Sequence, residues 1–240
     1  MKECAVTILS IIVFSVCIFL GINQIEKNIS ETVNSYNKSQ FDNTVILDAG
    51  HGGEDGGAVA FDGTLEKDIN LEICSAISLF FDIFGINYIN IRTEDISVGD
   101  TTLETIKERK ASDIYKRYDI INTTENSILL SIHQNMFSVE KYSGTQVFYA
   151  KSVDSSKNLA QCIQSSVVSS LQNNNKRSIK EGDKSIYLLY NAKRPSVLVE
   201  CGFMSNMEEL ALLNNFEYRT KISYFIVSGL LEYLLSQKVV

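Results

Sequence analysis

Three short, almost wholly apolar runs, Val45–Leu47, Ile128–Ile132 and Val197–Val199, each hand the chain directly to a residue capable of chemistry. Runs of this length with no polar face suit strands buried within a sheet. The first ends in Asp48 and enters the glycine cluster Gly50, Gly52, Gly53, Gly56, Gly57, the pattern of a strand running into a tight loop. Between them the spacing turns helical: Ile69, Ile73, Ile77 and Phe81 recur every four residues, and Gly85 is a natural stop. Further strands are expected at Ile86–Ile91, Gly144–Ala150 and Ser185–Tyr190. Helices are expected at Leu103–Ile121, Asp154–Gln172, Asn206–Asn214 and Tyr218–Leu235. Strand and helix alternate, so the fold class is α/β.

The N-terminus obeys different rules. Cys4–Ile22 contains no charged residue over nineteen positions, enough to span a bilayer as a helix, and Leu20-Gly21-Ile22-Asn23 makes a poor signal-cleavage site. Residues 1–23 are therefore expected to be an uncleaved membrane anchor or signal segment, 24–43 a polar tether, and 44–240 the folded domain. Such a domain is of ordinary single-domain size. With 22 Lys+Arg against 29 Asp+Glu, the net charge of −7 sets up a field that repels phosphate backbones, which excludes nucleic acid as a partner. Cys4 and Cys17 lie in the apolar run, and Cys74, Cys162 and Cys201 have no metal-like spacing, so neither a disulfide framework nor a cysteine zinc site is expected.

Only two histidines exist, His51 and His133, and both follow apolar strands, as does Glu200. Ligands of α/β proteins gather at the carboxyl ends of strands. Two imidazoles and a carboxylate form the three-ligand zinc set of hydrolases, with a fourth position left open. Such a site also needs a general base for the attacking water. Glu200 is the expected base, and Glu66 or Glu54 the third ligand. His51-Gly52-Gly53-Glu54 spells H-x-x-E, a spacing used by zinc carboxypeptidases. A phosphate-binding reading of the glycine loop is the weaker one, because the loop lacks the P-loop lysine and carries Glu54 and Asp55.

Four segments occur together in order: Leu47-Asp48-Ala49-Gly50-His51-Gly52-Gly53 with Asp55 and Gly57, Glu66-Lys67-Asp68-Ile69-Asn70-Leu71, Ser131-Ile132-His133-Gln134-Asn135, and Val197 through Asn206. In these the chain resembles the zinc-dependent N-acetylmuramoyl-L-alanine amidases of the type 3 catalytic family, over about Thr44 to Leu235. The resemblance implies a mixed, mostly parallel sheet with helices on both faces, His51, Glu66 and His133 as zinc ligands, and Glu200 as the catalytic carboxylate. It implies peptidoglycan glycan strands and stem peptides as substrate, and extracytoplasmic action. Its sporulation branch, which trims stem peptides from muramic acid during spore-cortex synthesis between the two forespore membranes, is the most similar. Ala49 stands where the family usually has proline, and Gln134 where a small residue is common. With no wall-binding extension in view, the membrane segment or a regulatory protein partner is expected to supply recruitment. Two other readings of the same residues are a non-catalytic wall-binding scaffold and a zinc carboxypeptidase-like enzyme built on Glu54.

Overall fold

Strand β1 (Thr44–Ala49) drives the run TVILDA into the interior, where every residue after Thr44 is buried. The computed structural model describes Gln24 and residues 41–238. The expected membrane segment lies outside the described residues, among which no helix is long and apolar enough to cross a membrane. After β1 come α1 (Glu66–Phe84), β2 (Asn87–Asn90), α2 (Ile106–Thr123), β3 (Ser127–Asn135), β4 (Gln146–Tyr149), α3 (Ser155–Ser170) and β5 (Lys180–Glu181). The chain continues through α4 (Tyr187–Tyr190), β6 (Ser196–Phe203), α5 (Met207–Leu213) and α6 (Phe216–Ser236). The sheet order is β2-β1-β3-β6-β4-β5. Strands β2, β1, β3 and β6 are parallel, β4 runs antiparallel to β6, and β5 is parallel to β4, giving a mixed, mostly parallel sheet.

Side chains alternate across a strand, and this period of two divides the sheet into unequal faces. Val45, Leu47, Ile128, Leu130, Ile132, Val197 and Val199 point to one face, where Ile73, Ile77 and Phe81 of α1, Leu159 and Ile163 of α3, and Ile226 and Leu230 of α6 cover them. The intervening Ile46, Leu129 and Leu198 meet a thinner layer, Ile121 of α2 with Leu188 and Leu189 of α4. Continued along the strands, that thin face carries Asp48, Ser131, His133 and Glu200. Helices thus cover both faces, and the polar positions fall where the thin cover runs out.

Three details differ from the sequence reading. Ser185–Tyr190, expected as a strand, is a turn leading into α4: the amide of Ser185 is held by Asp183 Oδ1 at 2.8 Å, and adjacent Leu188 and Leu189 are both buried. A strand would have sent those neighbours to opposite faces. Helix α2 starts at Ile106 rather than Leu103, because Thr105 and Glu108 form a reciprocal capping box. Strands β3 and β6 run on past Ile132 and Val199, so His133 and Glu200 lie within the ladder, directly opposite one another.

Candidate active site

Beyond Ala49 the chain turns through Gly50 into His51, whose φ of 63° is a left-handed conformation uncommon outside glycine. Two buried arginines hold that turn by its carbonyls. Arg117 of α2 donates from Nη1 to Ala49 O at 3.0 Å and from Nη2 to His51 O at 2.7 Å. Arg92 donates from Nε to Ala49 O at 2.9 Å and from Nη2 to Gly50 O at 3.0 Å. Arg117 is in turn paired with Asp48, and with Asp113 at 2.6 Å. Burial alone would raise the Asp48 carboxyl, yet the Arg117 charge and the Ser131 hydroxyl outweigh it and hold it below the ordinary range.

Glu66 opens α1, where the helix dipole favours a carboxylate. Its Oε2 accepts from Ala58 N at 2.9 Å and its Oε1 from Gln134 N at 3.1 Å. The same oxygens face His51 Nε2 at 3.2 Å and His133 Nδ1 at 2.9 Å. Burial opposes ionisation of Glu66, but the two imidazoles prevail and keep it well below the usual carboxylate range. One ligand atom from each of His51, Glu66 and His133 lies within 4.8 Å of the others.

The orientation of His51 is set from behind. Its Nδ1 meets Asp55 Oδ2 at 2.8 Å, and Lys110 holds the other Asp55 oxygen at 2.7 Å. Tying Nδ1 to a carboxylate turns Nε2 inward, the usual arrangement behind a metal-binding imidazole. Burial disfavours the charged ring, but Asp55 and Glu66 push it up to about 9.

Two glycines leave room for the cluster. A Cβ on Gly50 would stand 2.2 Å from the His133 ring, and one on Gly57 would stand 2.6 Å from both Glu66 Oε2 and His51 Cδ2. Two imidazole nitrogens and a carboxylate oxygen drawn together, with Asp55 behind His51 and two main-chain amides behind Glu66, make a donor set that fits zinc.

Glu200 stands on β6 between His133 on β3 and Gln146 on β4. Its Oε2 is buried with no hydrogen-bond partner among the described residues. Burial pushes the carboxyl up to about 7, partly offset by His133. A cleft of about 340 Å³ opens beside it, lined by His51, His133 and Glu200 and walled by Leu129, Leu188 and Leu198. An unpartnered carboxyl titrating near neutrality can take up and return a proton.

The structure brings His51, Glu66, His133 and Glu200 to one place and sends Glu54 elsewhere, to Arg109 Nε at 2.6 Å and Nη2 at 2.8 Å. Sequence reasoning missed Asp55 as the residue behind His51, although its i+4 position after the histidine was a usable sign. It also missed Arg92 and Arg117, which carry no local signal.

Comparison with known proteins agrees with the motifs. The family model described as N-acetylmuramoyl-L-alanine amidase matches residues 45–232. The chain is 34% identical over 189 residues to the germination-specific N-acetylmuramoyl-L-alanine amidase of Bacillus subtilis strain 168, covering 79% of this chain and 78% of that protein. Among solved structures, the CwlD amidase from Clostridioides difficile in complex with the GerS lipoprotein superposes with a TM-score of 0.78 at 38% identity, over 81% of this chain and 100% of that one. An N-acetylmuramoyl-L-alanine amidase from Clostridium difficile 630 gives 0.68 at 30% identity, over 81% and 97%.

Proposed function

We infer, because this chain belongs to the N-acetylmuramoyl-L-alanine amidase family, that it performs its hydrolysis with zinc held by His51, Glu66 and His133 and with Glu200 as general base. The enzyme cuts peptidoglycan at the amide joining N-acetylmuramic acid to L-alanine. One observation carries the zinc reading: the converging donors of the two imidazoles and Glu66, with half-buried Glu200, whose Oε2 has no hydrogen-bond partner among the described residues, beside them.

Held by His51, Glu66 and His133, zinc would supply Lewis acidity for polarising the scissile carbonyl. The chain supplies the rest. Glu200 accepts a proton from the attacking water as the C–O bond forms, then returns it to the alanine nitrogen as the C–N bond breaks, leaving the muramic lactyl carboxylate and a free amine. The apolar wall of the cleft lowers the local dielectric, which raises the basicity of Glu200 and strengthens each charge interaction around it. Asp55 and Arg117 keep His51 in register.

The cellular role proposed is in spore-cortex maturation, supported by likeness to the germination-specific relative and to the CwlD structure. In this reading residues 1–23 are a membrane anchor or an export signal that places the enzyme outside the cytoplasm, 24–43 are a polar tether, and 44–240 are the zinc amidase domain. Since the CwlD relative was solved with a lipoprotein, a lipoprotein is also the proposed regulatory partner here. Mass spectrometry of muropeptides incubated with protein and zinc tests the reaction: release of L-alanyl peptides that chelation abolishes and zinc restores is expected. Cleavage of a peptide–peptide bond would instead indicate the carboxypeptidase-like reading, and binding without cleavage the scaffold.

A further inference from the structure

The loop after β3 exposes apolar side chains that the core has no use for. Phe137 is 53% and Tyr142 40% exposed, and Met136 and Val139 are exposed with them. Exposed apolar patches on a folded domain mark contact sites. This one is built rather than loose. Phe137 packs on Tyr142 with ring centroids 5.5 Å apart and on Phe203 at 5.9 Å, and the Phe137 and Phe203 planes differ by only 30°. The Arg177 guanidinium lies 4.4 Å from the Phe203 centroid and 5.9 Å from that of Tyr142.

The loop is pinned along its length. Phe137 N donates to Ser205 Oγ at 3.1 Å, Asn206 Nδ2 to Glu140 O at 2.8 Å, and Gly144 N to Glu209 Oε1 at 2.8 Å. The other Glu209 oxygen takes Phe203 N at 2.7 Å, so one carboxylate fastens both sides of the aromatic cluster.

The cluster adjoins the catalytic row. Phe203 lies three residues along β6 from Glu200, roughly 10 Å at the usual strand rise. Arg177 Nη1 donates at 3.1 Å to Oε1 of Gln146, the residue directly opposite Glu200 on β4. Arg177 Nε is used by Ser143 O at 2.8 Å, while Nη2 makes no hydrogen bond among the described residues.

We propose that Phe137, Tyr142 and Arg177 form a saccharide-binding platform that holds the glycan side of the substrate next to Glu200. The inference rests on the amidase reading and adds a subsite to it. On one side of the scissile amide the substrate has a pyranose ring, whose flat C–H faces pack on aromatic rings. On the other the residue joined to the amide is alanine, whose methyl group is too small to cover such a surface. The free Nη2 is a donor for a sugar hydroxyl or an acetamido oxygen, and the stacked guanidinium loses little freedom in using it.

Peptide-free glycan, a tetrasaccharide of alternating N-acetylglucosamine and N-acetylmuramic acid, has no amide to cut at the lactyl group and can be titrated against the active enzyme by calorimetry. Phe137→Ala and Tyr142→Leu, the latter keeping apolar bulk without a ring face, should each weaken binding by about 5- to 10-fold, in line with loss of one aromatic contact. Phe216→Ala, at an exposed aromatic on α6, should bind as wild type. Absence of glycan binding by the wild type, unchanged affinity in both platform variants, or an equal fall in Phe216→Ala would overturn the platform. Release of alanyl peptides by the same wild-type preparation separates the outcomes: activity with unaltered variant affinities removes only the platform, whereas an inactive wild type removes the amidase reading beneath it.

Discussion

Arg117 and His51 are 66 residues apart in the chain, yet Nη2 of the arginine donates to the main-chain oxygen of the histidine at 2.7 Å. A non-glycine residue in the left-handed region costs on the order of 1–3 kcal/mol and persists only where its surroundings over-determine it. Here two arginines from outside the turn do so. Removing the guanidinium in Arg117→Ala also leaves Asp48 buried without its partner, so a loss of about 3–5 kcal/mol is expected in denaturant unfolding. Arg117→Lys keeps the charge but cannot reproduce the fork. It should stay folded and bind zinc on the order of 10-fold more weakly, as when other orienting groups behind a ligand are lost. A competitive zinc titration indistinguishable from wild type would detach Arg117 from the site.

Gly57 and Gly63 form a matched pair. Both have positive φ, 68° and 88°, but a Cβ on Gly57 would meet Glu66 and His51 while one on Gly63 would meet nothing within 4 Å. Alanine at either should cost roughly 1–2 kcal/mol of backbone strain. Only Gly57→Ala should also abolish zinc binding and muropeptide cleavage, and equal activity in the two variants would show that the cluster tolerates a methyl group there.

The pH dependence of stability follows from Asp48: burial alone would raise its carboxyl, but the Arg117 charge and the Ser131 hydroxyl together hold it below its ordinary value. A folded pKa below the unfolded one gives stability that is complete above the unfolded value, about 3.9, and is lost as pH falls through the folded value. The urea midpoint should therefore fall as the protein is taken below about pH 4. Asp48→Asn should be less stable at neutrality and show a flatter acid limb, measurable by urea titrations between about pH 3 and 7. A wild-type acid limb in that variant would assign the effect to other carboxylates.

What could be read from sequence was what repeats locally. The four-residue spacing of Ile69, Ile73, Ile77 and Phe81 marks α1, because a buried stripe must recur at the helical period. The apolar runs before His51, His133 and Glu200 mark β1, β3 and β6, because a strand covered on both faces has no polar side to show. Ser185–Tyr190 misled because a short apolar run has too few residues to tell period two from a helical turn. Spacing alone left Glu54 and Glu66 as rivals, and it was mainly the family resemblance that separated them. Arg92 and Arg117 were invisible, since their use depends on which carbonyls the folded turn presents. The aromatic cluster around Phe203 likewise draws on three separate segments.

The two carboxylates are separable by titration. Glu66→Ala removes one of the three converging donors, so zinc affinity and amidase activity should fall together. Glu54→Ala breaks an exposed, solvent-screened pair with Arg109 that contributes little to stability, and should leave zinc bound. The reverse result, zinc lost in Glu54→Ala and kept in Glu66→Ala, would replace the ligand set.

In the proposed mechanism Glu200 moves the proton while His51, Glu66 and His133 hold the metal. The most direct test is the rate of alanyl-peptide release from muropeptides by zinc-loaded Glu200→Gln, followed by mass spectrometry with the metal content of the same sample measured. Glutamine preserves the shape of the side chain but cannot accept the proton, so turnover should fall by about 100-fold or more with zinc retained. Near-wild-type turnover at full zinc occupancy would remove Glu200 from the proton transfer.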